Sequence, residues 1–221
     1  MKILVFSDSH LYLPFDERKF NFLKSIIASC DRVIINGDFY DSYMNAFDEF
    51  VNSSWSRLFP LLKARKTVYI YGNHDQRSFS DNRVSLFSDI QAERYKIKTD
   101  KKTYIFEHGH KTRITPDAKF KISWSTKHNA MIVVHFLRNI AIKIFGYFGV
   151  LLLFKYKNKI SKKMIRNFYK PKDNEIYIIG HNHFGEIDEI NHYVSNGAIL
   201  YGFAQYLTIE NDKIQLHEKW Y

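Results

Sequence analysis

Five short apolar runs, each ending in small or charged residues, punctuate the chain: KILVFSDSH, DRVIINGD, TVYIYGNHD, TYIFEHGH and IYIIGHNH. They are rich in Ile, Val, Tyr and Phe, and predict strands buried on both faces with loops at their carboxyl ends. Between the first three lie stretches of helical spacing. FDERKFNFLKSIIASC puts Phe20, Leu23, Ile26 and Ile27 on one face, and DSYMNAFDEFVNSSWSRLFPLLKA reads as a second helix. This β-α-β-α-β opening predicts parallel strands joined by helical crossovers. After about residue 94 the pattern changes: YKIKTDKKTYIFEHG reads as a hairpin turning at Thr99 to Lys102, and QYLTIENDKIQLHEKW as another turning at Asn211 and Asp212. A mixed α/β core follows, without internal repeats or low-complexity tracts.

The segment 117–172 interrupts this order and lacks clear strands. Its middle, AMIVVHFLRNIAIKIFGYFGVLLLFKY, is very apolar, but His135, Arg138, Asn139 and Lys143 break it, and its longest uncharged run, Ile144 to Phe154, has 11 residues. A spanning helix takes about 20 predominantly apolar residues, so the segment is not read as transmembrane. The pattern therefore predicts one domain over 1–221 with 117–172 as a basic, apolar helical insertion.

Bulk composition adds three constraints. With 221 residues and 45% apolar content the chain can bury a sizeable core. The single cysteine, Cys30, rules out an internal disulfide and suits a reducing compartment. MKILVFSD reads as a first strand, since its apolar stretch is too short for a signal peptide, and a cytoplasmic protein is expected. The net charge of +10 is concentrated: Ala118 to Lys172 carries 13 Lys or Arg and no acid, leaving 10 − 13, or −3, for the rest.

The runs end in chemistry. Asp8-Ser9-His10, Gly37-Asp38, Gly72-Asn73-His74-Asp75, His108-Gly109-His110 and Gly180-His181-Asn182-His183 occupy the five strand tips. Carboxyl ends of strands in parallel sheets gather along one edge, where ligands bind. Each tip alone is an ordinary turn; five in the same context are a metal-binding pattern. Imidazole and carboxylate together suit Mn, Fe or Zn, and the lack of thiolates argues against a structural zinc site. The donors exceed the needs of one ion, and Asp38, alone on its tip, is placed to bridge two. A pair of divalent ions is a device for hydrolysing phosphate esters.

These motifs resemble the calcineurin-like metallophosphoesterase superfamily, with its D-x-H, G-D, G-N-H-[DE], H and G-H-x-H signature, over about residues 1–116 and 173–221. The resemblance implies a four-layer α/β/β/α sandwich and a dinuclear centre. It implies that Asp8, His10 and His183 hold one metal, that Asn73, His108 and His181 hold the other, and that Asp38 bridges them. His74 would contact the substrate phosphate together with Asn73, and Asp75 would orient His74, the alternative for Asp75 being a helix N-cap. His110 and Arg77 are further substrate-binding candidates: His110 would line the pocket, and Arg77 would meet a second phosphate or stay solvated. Asp41 reads as a first-turn helix carboxylate, His135 as a packed side chain and Cys30 as inert.

The insertion should emerge beside this site. Its apolar stretch followed by KYKNKISKKMIRNFYKPK suits either an interfacial segment on anionic lipid or a helical cap that exposes its lysines. Nucleic acid ranks lower as a partner, because its recognition does not need consecutive aliphatic residues. Within the superfamily, a basic, apolar cap between these motifs is similar to that of the bacterial UDP-2,3-diacylglucosamine diphosphatases. Those carry Arg where this chain has His74. The similarity implies a phosphoester or pyrophosphate hydrolase, peripheral on the membrane, with a phosphorylated or lipid-linked substrate; a nuclease and a non-catalytic scaffold are the other functions the fold admits.

Overall fold

The computed structural model describes residues 1–112 and 123–221; the first residues of the expected insertion, 117–122, lie outside this range. The opening is as the pattern predicts. Strands β1 (Ile3–Phe6), β2 (Arg32–Asn36), β3 (Val68–Ile70) and β4 (Ile90–Ala92) pair in parallel and in that order. Helix α1 (Glu17–Ala28) connects β1 to β2, is capped by the Asp16 side chain on the Lys19 N–H, and buries Phe20, Leu23, Ile26 and Ile27. The second expected helix is broken into α2 (Phe47–Val51), a 3-10 turn over Ser54–Leu58 and α3 (Phe59–Ala64). The break is local chemistry. Ser53 accepts from the Trp55 N–H and restarts the chain, and Pro60 sits in the first turn of α3.

Both hairpins form. Strand β5 (Tyr95–Lys98) pairs antiparallel with β6 (Thr103–Glu107), from Tyr95 opposite Phe106 to Lys98 opposite Thr103. Strand β6 continues a second sheet with β7 (Glu175–Ile179), β9 (Tyr193–Ser195) and β8 (Glu186–Asp188), in the order β5-β6-β7-β9-β8. The short β10 (Ile199–Leu200) leads to the C-terminal hairpin, β11 (Phe203–Glu210) and β12 (Lys213–Trp220), and β11 adds antiparallel to β1, completing a seven-stranded sheet.

The two sheets face each other. Ile3, Val5, Ile34, Val68 and Ile70 of the first meet Tyr104, Phe106, Ile176, Ile178 and Val194 of the second in one buried cluster. Alternate residues of the first sheet, Leu4, Phe6, Val33 and Ile35, point the other way onto α1, α2 and α3. On the outer face of the second sheet, Ile105, Tyr177, Ile179 and Tyr193 pack against Ile165. Helices, two sheets and a further helical layer thus stack as the expected sandwich.

Between β6 and β7 runs α4 (Trp124–Met164), extended by a π-turn over Ile165–Tyr169. By length and composition it is long and apolar enough to cross a membrane, a measure that tolerates the charges on which the sequence reading rejected a span. It does not run straight. Gly146, at φ +70° and ψ 165°, leaves the helical region and reverses the chain. The Arg138 guanidinium consequently lies 5.3 Å from the Phe154 ring, whereas sixteen residues of straight helix would separate them by about 24 Å. The insertion is a helical hairpin laid over the carboxyl ends of both sheets. Its first arm is held by His128 Nδ1 on the Tyr43 carbonyl and by His135 Nδ1 on the Tyr201 hydroxyl. The second arm is held by Asn158 on the Phe184 carbonyl and by Lys162 on Glu186 and Asp188.

Candidate metal centre

The tips of β1, β2, β3, β6 and β7 converge, and their turns aim the side chains. Asp8, His10, Asp38, His181 and His183 all have φ between 41° and 60°, a region that costs energy for residues with a Cβ and persists where the surrounding fold overdetermines it. Gly37, at φ +89°, precedes Asp38 where a Cβ would collide with the His108 ring. Only a glycine lets β2 end there with the imidazole stacked across it.

Three clusters interlock. Asp8, His10 and His183 bring ligand atoms together, as do Asp38, His108 and His181, and as do His10, Asp41 and His74. His183 Nε2 lies 3.0 Å from Asp8 Oδ1. Asp38 Oδ2 is 3.2 Å from His108 Nε2 and 3.7 Å from His10 Nε2, so this carboxylate stands between the two principal clusters. Asn73 Oδ1 is 3.2 Å from His108 Nε2. All seven expected ligands are therefore in one place. His108 Nδ1 contacts the Asn36 carbonyl at 2.9 Å; a carbonyl can only accept, so Nδ1 carries the proton and Nε2 offers its lone pair inward.

Carboxylates and imidazoles of the site compensate one another: burial lowers His108, but Asp38 and Asp8 outweigh it and raise it to about 10, so a cation at Nε2 would displace a proton. Burial alone would raise Asp8, but the imidazoles of His183 and His108 outweigh it and hold the carboxyl low. Asp38 is likewise held well below the carboxylate range, burial being outweighed by His108 and His74. Burial pushes His183 down to about 4 and His181 well below the usual imidazole range, which keeps both neutral and ligand-ready. Asp8 Oδ1 and both ring nitrogens of His10 are buried and make no well-aligned hydrogen bond among the described residues; Asp8 Oδ1 faces only His183 and His10 Nδ1 only Asp41 at ion-pair distance. Buried polar atoms are normally satisfied, and a bound cation accounts for these.

The surroundings correct three expectations. Asp75 does not orient His74, nor does it cap a helix. Its carboxylate accepts from the N–H groups of Gly72 (2.6 Å), Asp38 (3.0 Å) and Phe39 (2.7 Å), locking the β2 and β3 tips together. The partner of His74 is Asp41, with Nδ1 2.9 Å from Oδ1. Asp41 precedes α2 and lies on no helix; it is fully buried, with its other oxygen 3.3 Å from His10 Nδ1. Burial lowers His74, but Asp41 and Asp38 outweigh it and raise it to about 9. Arg77 and His110 line a neighbouring surface depression with Lys111 and Lys127, and the His110 ring lies 5.6 Å from that of the ligand His108.

The cavity over the centre, about 170 Å³, is lined by His10, Asp38, Asn73, His74, His181 and His183 from the core. Its opposite wall is the hairpin: Met131, Val134, His135, Arg138 and Lys157. His135, which sequence spacing suggests is merely packed, is among these lining residues. No local sequence signal marks it, because its role depends on which way the hairpin lies.

A family profile described as calcineurin-like phosphoesterase matches residues 1–185. No curated protein matches the sequence. Among solved structures, the YfcE phosphoesterase of E. coli is similar with 16% identity and a TM-score of 0.53 over 97% of this chain and 91% of that one. An archaeal phosphodiesterase is similar with 18% identity and a TM-score of 0.48 over the whole of both chains. Vps29 of Entamoeba histolytica complexed with Zn²⁺ is similar with 15% identity and a TM-score of 0.49, over 100% of this chain and 99% of that one.

Proposed function

This chain belongs to the calcineurin-like phosphoesterase family, and from that premise we propose that it hydrolyses a phosphoester or pyrophosphate bond with two divalent ions, on a lipid-linked or otherwise amphiphilic substrate at an anionic membrane surface. The observation that carries the hydrolytic part is the interlocking of the Asp8–His10–His183 and Asp38–His108–His181 clusters about a shared Asp38. Asp8, His10 and His183 would hold one ion, and Asn73, His108 and His181 the other. The donor set suits Mn²⁺, Fe or Zn²⁺, with Mn²⁺ our choice. Such ions neutralise phosphoryl oxygens and acidify bound water.

The chain's own residues do the rest. Asp41 fixes His74 through Nδ1, which leaves Nε2 for the cavity that His74 lines. There it donates to a phosphoryl oxygen or gives its proton to the leaving oxygen. Asp41 reaches toward His10 as well, so one buried carboxylate orients a ligand and the general acid together.

The membrane part rests on the hairpin's outer face. Phe136, Leu137, Ile144, Phe145, Phe148 and Leu152 are each more than half exposed, and Phe148 abuts the exposed Trp220. Isolated exposed apolar residues are ordinary, but this many on one hairpin that also exposes Lys143 and Lys155 suit an interaction surface. Hydrolysis of an aryl phosphate with Mn²⁺ tests the chemistry: Asp38→Ala should lower turnover at least about a thousandfold, and wild-type turnover surviving exhaustive chelation refutes it. Vesicles containing anionic lipid should sediment the protein in a salt-sensitive way; equal partitioning to neutral vesicles at high salt refutes the surface.

A further inference from the structure

We infer that Lys19 of α1 is a positioning residue for the metal centre: it pins the peptide that joins Ser9 to His10 and so sets the direction in which His10 presents its imidazole. The inference rests on the metal-centre reading of the strand tips. Asp8 and His10, at φ 51° and 41°, flank Ser9, and a left-handed residue with a Cβ keeps that conformation only where its surroundings hold it. The peptide is planar and trans, so the Ser9 carbonyl and the His10 N–H lie on opposite edges of one plane and move together. The His10 N–H donates to the Asp38 carbonyl at 3.0 Å. The Ser9 carbonyl accepts from Lys19 Nζ. The plane is therefore held at one edge by the β2 tip and at the other by the helical layer. Asp41, 3.3 Å from His10 Nδ1, acts on the ring itself; Lys19 acts on the backbone from which the ring springs.

The choice of a lysine points the same way. Lys19 is only 6% exposed, and among the described residues it has no carboxylate at ion-pair distance. Burial pushes its ammonium down to about 8, against the pull of Asp16 and Asp41. The other buried positions of α1 are Phe20, Leu23, Ile26 and Ile27, all apolar. Burying a charge without a counter-charge costs stability, and a methionine of similar length would pack at this position without that cost. It would bring no donor to the Ser9 carbonyl. A destabilising charge kept beside a strained metal ligand, and not elsewhere on the buried face of the helix, marks a functional contact.

Calorimetric titration of the metal-free protein with Mn²⁺ tests this. Lys19→Met should weaken the ion that His10 serves about ten- to a hundredfold, as for outer partners of metal ligands, and the other ion less than about threefold. Lys19→Arg keeps a charged donor, and the cavity of about 500 Å³ that Lys19 lines with His10 leaves room for it, so it should recover most of the loss. Lys24→Ala, at an exposed lysine of the same helix, should change neither ion. The denaturant midpoint of metal-free Lys19→Met should stay near that of the wild type while metal binding falls. Equal weakening of both ions, a lost midpoint that Lys19→Arg does not recover, or unchanged binding overturns the positioning role. A wild type that takes up no Mn²⁺ would instead refute the metal-centre reading, and amide exchange in the metal-free protein then decides the role of Lys19. The His10 N–H should exchange about tenfold faster in Lys19→Met, the order expected for one hydrogen bond to a charged group, with Val5 and Ile35 unchanged. An unchanged rate at His10 overturns the inference.

Discussion

The strand-tip edge and the hairpin above it use apolar residues in opposite ways. Beneath the edge, Trp55, Tyr40, Phe39, Phe50 and Phe87 are fully buried and bury one another. On the hairpin, Phe145 is 69% exposed and Phe136 63%. Both regions are rich in Phe, Ile and Leu, so composition does not separate them. The core uses its apolar groups to hold charged side chains in strained turns out of water. The hairpin keeps a narrow inner face, Val150, Leu151 and Ile165, for the fold and turns the rest outward. The first region is a fixed chemical device; the second is a surface whose apolar area contributes little to folding.

Three measurements would break or sharpen this contrast. The largest effect is on stability. Phe87 contacts the rings of Phe39, Phe50, Phe59 and Tyr69 at 5.0 to 6.4 Å, so Phe87→Ala should cost about 3–5 kcal/mol in denaturant unfolding. Phe145→Ser should change stability by less than about 0.5 kcal/mol; comparable losses at the two positions would abolish the distinction. Next comes Asp41→Asn, which keeps the shape but removes the charge between His10 and His74. Turnover should fall about ten- to a hundredfold, with weaker Mn²⁺ retention, as for outer-shell partners of metal ligands. Unchanged kinetics would leave Asp41 a packing residue.

The smallest concerns the hairpin's attachment. Lys162 Nζ lies 2.5 Å from Glu186 and 2.6 Å from Asp188. Its hydrogen bond holds Asp188 below the usual carboxylate range. A carboxyl depressed on folding stabilises above its unfolded pKa and loses that contribution as pH falls through its folded value. Hydrogen exchange over 158–165, corrected for intrinsic rates, should therefore be less protected near pH 3 than at pH 7, by a few-fold at most for a largely solvated pair. Asp188→Asn should reproduce the loss at pH 7. Protection indifferent to both would show that apolar contacts alone hold this arm.

Much of the site was legible because ligand chemistry sits at strand ends, and strand ends show as apolar runs meeting Gly, Asp and His. Asp8, His10, Asp38, Asn73, His108, His181 and His183 all reach the centre for that reason. Asp41 was misread because its spacing from Asp38 fits a helix start, and only the fold shows it buried between two imidazoles. The role of Asp75 was displaced because backbone N–H groups from two tips, close only in space, claim its carboxylate first. His135 and Arg138 sit in a helical stretch where every face carries apolar residues, so periodicity gave no direction.

The order of runs along the chain, with its polar ends, was enough to determine a mixed α/β core, both hairpins and a convergent set of metal donors, because strand burial and turn chemistry are local. Tertiary structure alone decided the reversal at Gly146, the partner of His74 and the two cations over the cavity. These depend on which surfaces meet across distant parts of the chain, and a linear pattern carries no information about that meeting.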